Sequence, residues 1–488
     1  MGVVLDAFEA PPILRFLART LGLPFRWLGY KGDPNMPPLT RALTALGPAY
    51  IKFGQILSTR PDVVGDDLAQ QLRVLQDKLP PFSVQEAKQA VEHELGHPVD
   101  EMFSDFSEPV AAASIAQVHK ATLAETGEEV AVKVLRPNIE RAFQKDVDAF
   151  YLAARMVELA SPGARRLRPM DVIEHFDGVV QGELDLRLES SAASEFAANT
   201  KDDEGFDLPE IKWGYSSRRV MTLGWADGVS LGDNDAIDAA GHDRVALGNR
   251  VLQLFLNHAL RDGYFHADMH QGNLKVAPNG DIIAYDFGIM GYIDEYTRRV
   301  YAEILYGFIR KDYKRVAKVH FEAGYVPADK DVDEFARALR AVGEPIFGMD
   351  ATRISMARLL AYLFEVTERF GMETRTELIL LQRTMVVVEG VARSLNPHMN
   401  IWEIASPIVS AYISKSIGPR AVIKDLTQTA LVLGRFGPRL PDLVESALMA
   451  QTNPPQVDRR PKKRWFFLSG GVGALVGAGV VLAVLALV

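Results

Sequence analysis

His266-Ala267-Asp268-Met269-His270-Gln271-Gly272-Asn273 is the stretch on which the reading of this chain turns. A helical pattern over 249–261 leads into it. After it come an apolar run at 274–276, an Asn279-Gly280 pair and a second apolar run at 282–285. Asn-Gly between two such runs is the strongest short signal for a β-hairpin. Asp286-Phe287-Gly288 stands at the end of that hairpin. Upstream, Lys133 sits on Val130-Ala131-Val132-Lys133-Val134, whose composition reads as a strand. Taken singly these pieces say little: a strand lysine is usually a solvated surface residue, and a lone Asp-Phe-Gly is a common turn. Their order, on elements of the right kind, is what carries information.

That order resembles the protein kinases and their small-molecule relatives. The chemistry explains the residue types. Phosphoryl transfer asks a protein for positioning and charge neutralisation rather than covalent help. Asn273 and Asp286 offer the oxygen ligands that Mg²⁺ prefers. Asp268 is placed to orient, or take a proton from, an attacking hydroxyl or water, and Lys133 to hold the α- and β-phosphates of ATP.

Between the first two expected strands, where kinases carry glycines, this chain has Ala111-Ala112-Ala113-Ser114-Ile115-Ala116-Gln117-Val118-His119. Glycine permits close backbone approach and positive φ, and alanine restricts both. An alanine loop should therefore cover phosphates differently; without Lys133 one strand downstream it would read as an ordinary apolar strand. Two further elements stand outside the kinase pattern: Lys52-Phe53-Gly54-Gln55 and Glu183-Leu184-Asp185, the latter followed by Glu189. With Ser58-Thr59-Arg60-Pro61-Asp62 and Leu75-Gln76-Asp77, they are similar to the UbiB family, with its KxGQ, alanine-rich and ExD signatures, over roughly residues 40–300.

The resemblance implies an ATP- and Mg²⁺-dependent atypical kinase or ATPase supporting ubiquinone biosynthesis. Glu189 would be the ion-pair partner of Lys133, and Lys52 would reach Glu183 from a helix lying over the place where a protein substrate docks. The residues alone say something different about Lys52. It and Gln55 are i,i+3 neighbours on one helix face, and an exposed pair is the simpler expectation. By the same spacing Asp185 and Glu189, at i,i+4, should share a helix face that Glu183 leaves. At the expected adenine hinge, Met221-Thr222-Leu223-Gly224-Trp225-Ala226, Gly224 stands where the family often has a polar side chain. A helix at 295–310 follows Asp-Phe-Gly almost at once and no Ala-Pro-Glu follows, so a peptide substrate loses its platform. A small molecule, a lipid such as an isoprenoid quinone intermediate, or water is favoured as acceptor. Two alternatives stay open: a small-molecule kinase of the aminoglycoside or choline type, which lacks KxGQ, and a nucleotide- and lipid-binding pseudokinase scaffold.

The pattern predicts an α+β, bilobal protein-kinase-like fold. An N-terminal helical extension, 1–107, would hold helices at 39–57, 65–75 and 84–95. A small antiparallel-sheet lobe, 108–228, would start its strands at Glu108-Pro109 and contain a helical insertion over 139–200. A mainly helical lobe would fill 229–450. Then come a polar linker, 451–464, ending in Arg459-Arg460-Pro461-Lys462-Lys463-Arg464, and an uncharged run, 465–488. That run is roughly long enough for one transmembrane helix, and the cations place its near end in the cytoplasm. The expected location is thus the inner membrane of a bacterium, single-pass, with the catalytic part cytoplasmic. Gly473 and Gly477 are spaced as GxxxG and could pair two such helices into a homodimer, or simply be small residues in an apolar helix. A net charge of −9 argues against nucleic acid as a partner. With no cysteine in the chain, disulfides, thiolate metal sites and cysteine nucleophiles are excluded.

Overall fold

The computed structural model describes residues 37–58, 66–72, 75, 80–160, 168–347, 362, 365–366, 369–372 and 376–416. The segment before 37, Thr59-Arg60-Pro61-Asp62, Gln76-Asp77, the 451–464 linker and the 465–488 run lie outside them. Among the described residues no helix is long and apolar enough to cross a membrane. They fall into two compact units: one runs to Ser191 and takes in Glu210–Trp225, the other joins Ala192–Pro209 to the residues from Ala226 onward. The fold is α+β, with small sheets and a majority of helix.

In the first unit, strands Phe103–Ala112, Ala116–Leu123, Glu129–Leu135 and Val220–Gly224 form an antiparallel sheet in that order. Alternation decides its faces: Val130, Val132 and Val134 are fully buried and pack with Ala121, Leu123, Val220 and the upstream Val91, Val99 and Phe103. The helix Val84–Leu95 lies where its pattern placed it. Ser83 and Glu86 close a reciprocal capping box at its start, and Gly96 ends it at φ 76°. The first strand starts at Phe103, ahead of the expected Glu108. Its polar run Ser104-Asp105 and its register shifts disguise it as a loop in the sequence.

The expected single helix at 39–57 is two, Pro38–Leu46 and Pro48–Ser58. Gly47 at φ 112° and Pro48, which has no N–H to give, break it. Helices Ile139–Ala160, Pro169–Glu183 and Leu186–Thr200 divide the expected helical insertion. Phe150 and Phe176 on the first two meet Phe53 at ring-centroid distances of 4.9 and 5.2 Å, and Tyr50 meets Phe150 at 4.8 Å. A Cβ on Gly54 would come within 2.3 Å of the Leu75 side chain and 2.8 Å of Leu43. That crowding explains glycine inside the Lys52-Phe53-Gly54-Gln55 helix.

The second unit holds a sheet ordered Phe206–Asp207, Ile282–Ala284, Leu274–Val276, Val229–Ser230. Its central pair is the Asn279-Gly280 hairpin, with Gly280 at φ 91°. A two-stranded ribbon pairs Tyr264–His266 with Met290–Tyr292. The helix expected at 249–261 starts earlier, at Arg244, because Asp243 caps it by accepting the Val245 and Ala246 N–H groups. It ends at Asn257 and gives way to a π-turn, His258–Asp262. The remaining helices are Glu295–Ile309, Tyr313–Glu322, Val332–Phe347, Thr376–Leu395 and Ile401–Ser416.

Candidate nucleotide and metal site

Lys133 is held by the sheet, opposite Val118 on one neighbouring strand and Met221 on the other. Its Nζ lies 2.6 and 2.9 Å from the two carboxylate oxygens of Glu189. The side chains are 19% and 12% exposed, so the pair is well shielded from water. Lys52 pairs with Glu183 at 2.6 Å, both side chains mostly buried. The exposed Lys52 expected from helix spacing is therefore corrected. Tyr50, Phe53 and Gly54 anchor the helix so closely that Lys52 reaches an internal carboxylate instead.

Asp185 and Glu189 do not share a helix face. The chain breaks at Leu184-Asp185, and Asp185 caps the next helix by accepting the Arg187 N–H at 3.2 Å. Its carboxylate also takes both ends of the Arg187 guanidinium, at 2.9 and 2.6 Å. That charge-assisted bonding from Arg187 holds the Asp185 carboxyl below the usual carboxylate range. Gln55 lies on the Lys52 helix, half-buried.

In the alanine-rich loop the Ala113 N–H donates to Ala116 O at 2.8 Å, closing the turn. No alanine of this loop has positive φ. Ala111 is exposed, while Ala112, Ala113, Ile115 and Val118 are half-buried and Ala116 is buried. Arg136, on the chain just past the Lys133 strand, donates from Nε and Nη2 to Ala113 O at 3.1 and 2.8 Å. Its own N–H donates to Ile115 O at 2.9 Å. A side chain thus fixes the loop. Nothing in the sequence marks Arg136 for this task. Gln117 turns inward, its amide bonding the Phe82 backbone at both N–H and C=O and reaching His119 Nε2 at 2.9 Å. Burial keeps the His119 pKa below its ordinary value. The Ser114 hydroxyl is fully buried with no hydrogen-bond partner among the described residues. Such an orphan donor, in a turn whose alanines range from exposed Ala111 to buried Ala116, suits a phosphate oxygen.

Nearer the expected hinge, the Gly224 N–H donates to Glu210 O and the Trp225 N–H to Glu129 O, both at 3.0 Å. Neither backbone donor is left for adenine.

The second unit brings Asp268, Asn273 and Asp286 into one hydrogen-bonded frame. His266 is buried; its Nε2 meets Asp286 O at 2.5 Å, and its Nδ1 accepts the Asp268 N–H at 3.0 Å. This fits a neutral ring with the proton on Nε2. Burial, outweighing the nearby carboxylates, keeps the His266 pKa low. Asn273 Nδ2 donates to Asp268 O at 3.0 Å and approaches Asp268 Oδ2 at 3.4 Å. The amide nitrogen is spent on the loop, so Oδ1 is the atom a metal would meet. Asp286 Oδ1 accepts the Gly288 N–H at 3.1 Å. Among the described residues no cluster of three or more His, Cys, Asp or Glu side chains could cage a metal. One carboxylate plus one amide oxygen suits Mg²⁺, which keeps waters and arrives with phosphate oxygens.

Residues 74–320 match the family model described as the ABC1 atypical kinase-like domain, and residues 339–400 that of the UbiB helical domain. The chain is 41% identical over 424 residues to the "Probable protein kinase UbiB" of Aliivibrio fischeri (strain MJ11), covering 86% of this chain and 78% of that protein. To the protein of the same name from Azotobacter vinelandii (strain DJ) it is 38% identical over 488 residues, 98% and 90% of the two chains. A solved Mycobacterium tuberculosis protein in complex with erythromycin shares the fold at TM-score 0.51 and 23% identity, covering 80% of this chain and 96% of that one.

Proposed function

The chain belongs to the UbiB family of ABC1 atypical kinase-like proteins, and from that premise we propose that it is a Mg²⁺-ATP-dependent kinase or ATPase supporting ubiquinone biosynthesis at a bacterial inner membrane. The observation that carries the reading is the frame in which His266 ties the Asp268 loop to the Asp286 backbone. Asp286 and Asn273 hold the metal through oxygen, and Lys133, oriented by Glu189, meets the phosphates. Ser114 donates its hydroxyl to a phosphate oxygen. Asp268, 37% exposed at the side chain, orients the acceptor or takes its proton. ATP bound there would supply the transferable phosphoryl group, and Mg²⁺ held by Asp286 and Asn273, with Lys133, would neutralise phosphate charge.

The acceptor is a small molecule, a lipid of the isoprenoid quinone type, or water. The strand Met290–Tyr292 and the helix Glu295–Ile309 follow Asp-Phe-Gly directly and leave little chain for a peptide platform. Residues 465–488, behind their basic flank, anchor the chain as one transmembrane helix with the kinase-like part in the cytoplasm, and GxxxG pairing would make it a homodimer. The test joins binding to physiology. Asp286→Asn should lose Mg²⁺-ATP-dependent thermal stabilisation. In a deletion strain, only the wild-type chain should clear accumulated quinone precursors. Full complementation by Asp286→Asn would overturn the reading.

A further inference from the structure

The helix Thr376–Leu395 falls within the residues matched by the UbiB helical domain model, outside the kinase-like match. It touches the 266–273 loop at two places. Thr384, fully buried, points its hydroxyl at Ala267 O, 3.0 Å away, and shares the same proton with Leu380 O at 2.8 Å. Ala267 directly precedes Asp268, and its own N–H donates to Ile289 O at 3.0 Å. Further along the helix by roughly 15 Å, Ser394 Oγ accepts from Gln271 Nε2 at 2.8 Å while donating to Val391 O. The Gln271 carbonyl is held from another side by Ser230 Oγ at 3.3 Å. Asp268 therefore lies on a loop pinned before it by Thr384 and after it by Ser394.

The helix itself is fixed against Arg244–Asn257. A Cβ on Gly248 would lie 2.7 Å from Ala392 O, so the two backbones meet at that point, and Asn396 Nδ2 donates to Asn249 Oδ1 at 3.0 Å. The helix thus has a backbone contact and a side-chain hydrogen bond of its own, independent of the loop.

We propose that Thr384 and Ser394 are positioning residues through which this helix sets the conformation of the Asp268 loop, and with it the rate of turnover rather than the affinity for nucleotide. The proposal rests on the kinase or ATPase reading above. Thr384→Val keeps the branched volume and removes the hydroxyl; Thr384→Ser restores it. In the full-length protein, Thr384→Val should lower kcat for ATP by about tenfold or more, with nucleotide Kd within about twofold of wild type. Thr384→Ser should recover most of that loss. Amide hydrogen exchange gives a readout that needs no turnover. Thr384→Val should speed exchange across 267–273 and leave the 244–257 helix protected.

Unchanged exchange in the loop would overturn the proposal, whatever the activity. So would equal losses of kcat, nucleotide affinity and helix protection, which would mark Thr384 as a packing residue only. A wild-type protein that neither binds nor hydrolyses ATP would sink the functional reading instead, and the exchange result would still decide whether the helix holds the loop.

Discussion

His266 and Asp286 are joined ring to backbone: the imidazole Nε2 lies 2.5 Å from the Asp286 carbonyl, and its other nitrogen accepts the Asp268 N–H. One neutral ring therefore ties the loop that bears Asp268 to the start of Asp-Phe-Gly. His266→Ala removes the imidazole partner of a part-buried carbonyl and of a part-buried backbone N–H together. A lost hydrogen bond of this kind costs about 1 kcal/mol, more where water cannot replace it. A clear drop in melting temperature is expected, with Mg²⁺-ATP no longer raising it. A variant that melts normally and is still stabilised by nucleotide would show the bridge to be dispensable.

Acid should weaken the fold well before the carboxylates as a class titrate. Burial lowers the pKa of His119, His266 and His320, the last to about 4. The unfolded chain takes up these protons near the ordinary histidine value, while the folded chain resists. Stability is thus fully present above about pH 6.5 and is lost as pH falls through the folded values. Asp146, raised to about 6 by burial, works the other way over part of this range. Three histidines outweigh one aspartate. Urea midpoints should fall between pH 7 and 5, and His320→Leu should flatten the slope by up to about 1.4 kcal/mol per pH unit. Equal midpoints at the two pH values would contradict this.

Breaking the Lys133–Glu189 pair from one side should cost more than its surface counterparts. Glu189→Gln leaves a shielded ammonium without its bidentate carboxylate, at a cost of roughly 3 kcal/mol. Lys133→Met combined with Glu189→Gln should be less harmful than the two single losses added. Unfolding measurements on all four proteins should give a coupling of about 1–3 kcal/mol. A coupling near zero would mean that the pair orients without stabilising.

Gly228 makes a purely steric claim. At φ 147° it sits in a region that L side chains rarely adopt, and a Cβ there would lie 2.3 Å from the Val276 carbonyl oxygen. Gly228→Ala must move backbone rather than a flexible side chain. It should destabilise by roughly 2 kcal/mol or more and lower the melting temperature by several degrees. An unchanged melting curve would mean that the turn can relax freely.

The sequence was most legible where function and local geometry coincide. The Asn279-Gly280 hairpin, the capped helix Val84–Leu95 and the Lys133 strand follow from short-range rules and lie where those rules place them. Spacing failed where a residue's partner is distant in the chain. Lys52 reads as exposed because Glu183 is far away in sequence, and Asp185 reads as helical because no proline marks the break that it caps. Arg136 and Thr384 carry no motif at all. Their value comes from backbone carbonyls, Ala113 O and Ala267 O, that become their neighbours only after folding. The first strand was hidden by polar residues on its exposed side, although Phe103 at its start is core.

The first sheet takes its last strand, Val220–Gly224, only after the chain has left to build Ala192–Pro209 into the other unit. On a ribosome this has a temporal meaning. The Lys133 strand emerges long before the neighbour that covers one of its edges, and the Lys52 helix must wait for Phe150, Phe176 and Glu183. A nascent chain stalled before residue 224 would present an open strand edge, which invites pairing with other chains. Because the chain alternates between the two units along its sequence, no single cut yields either one whole.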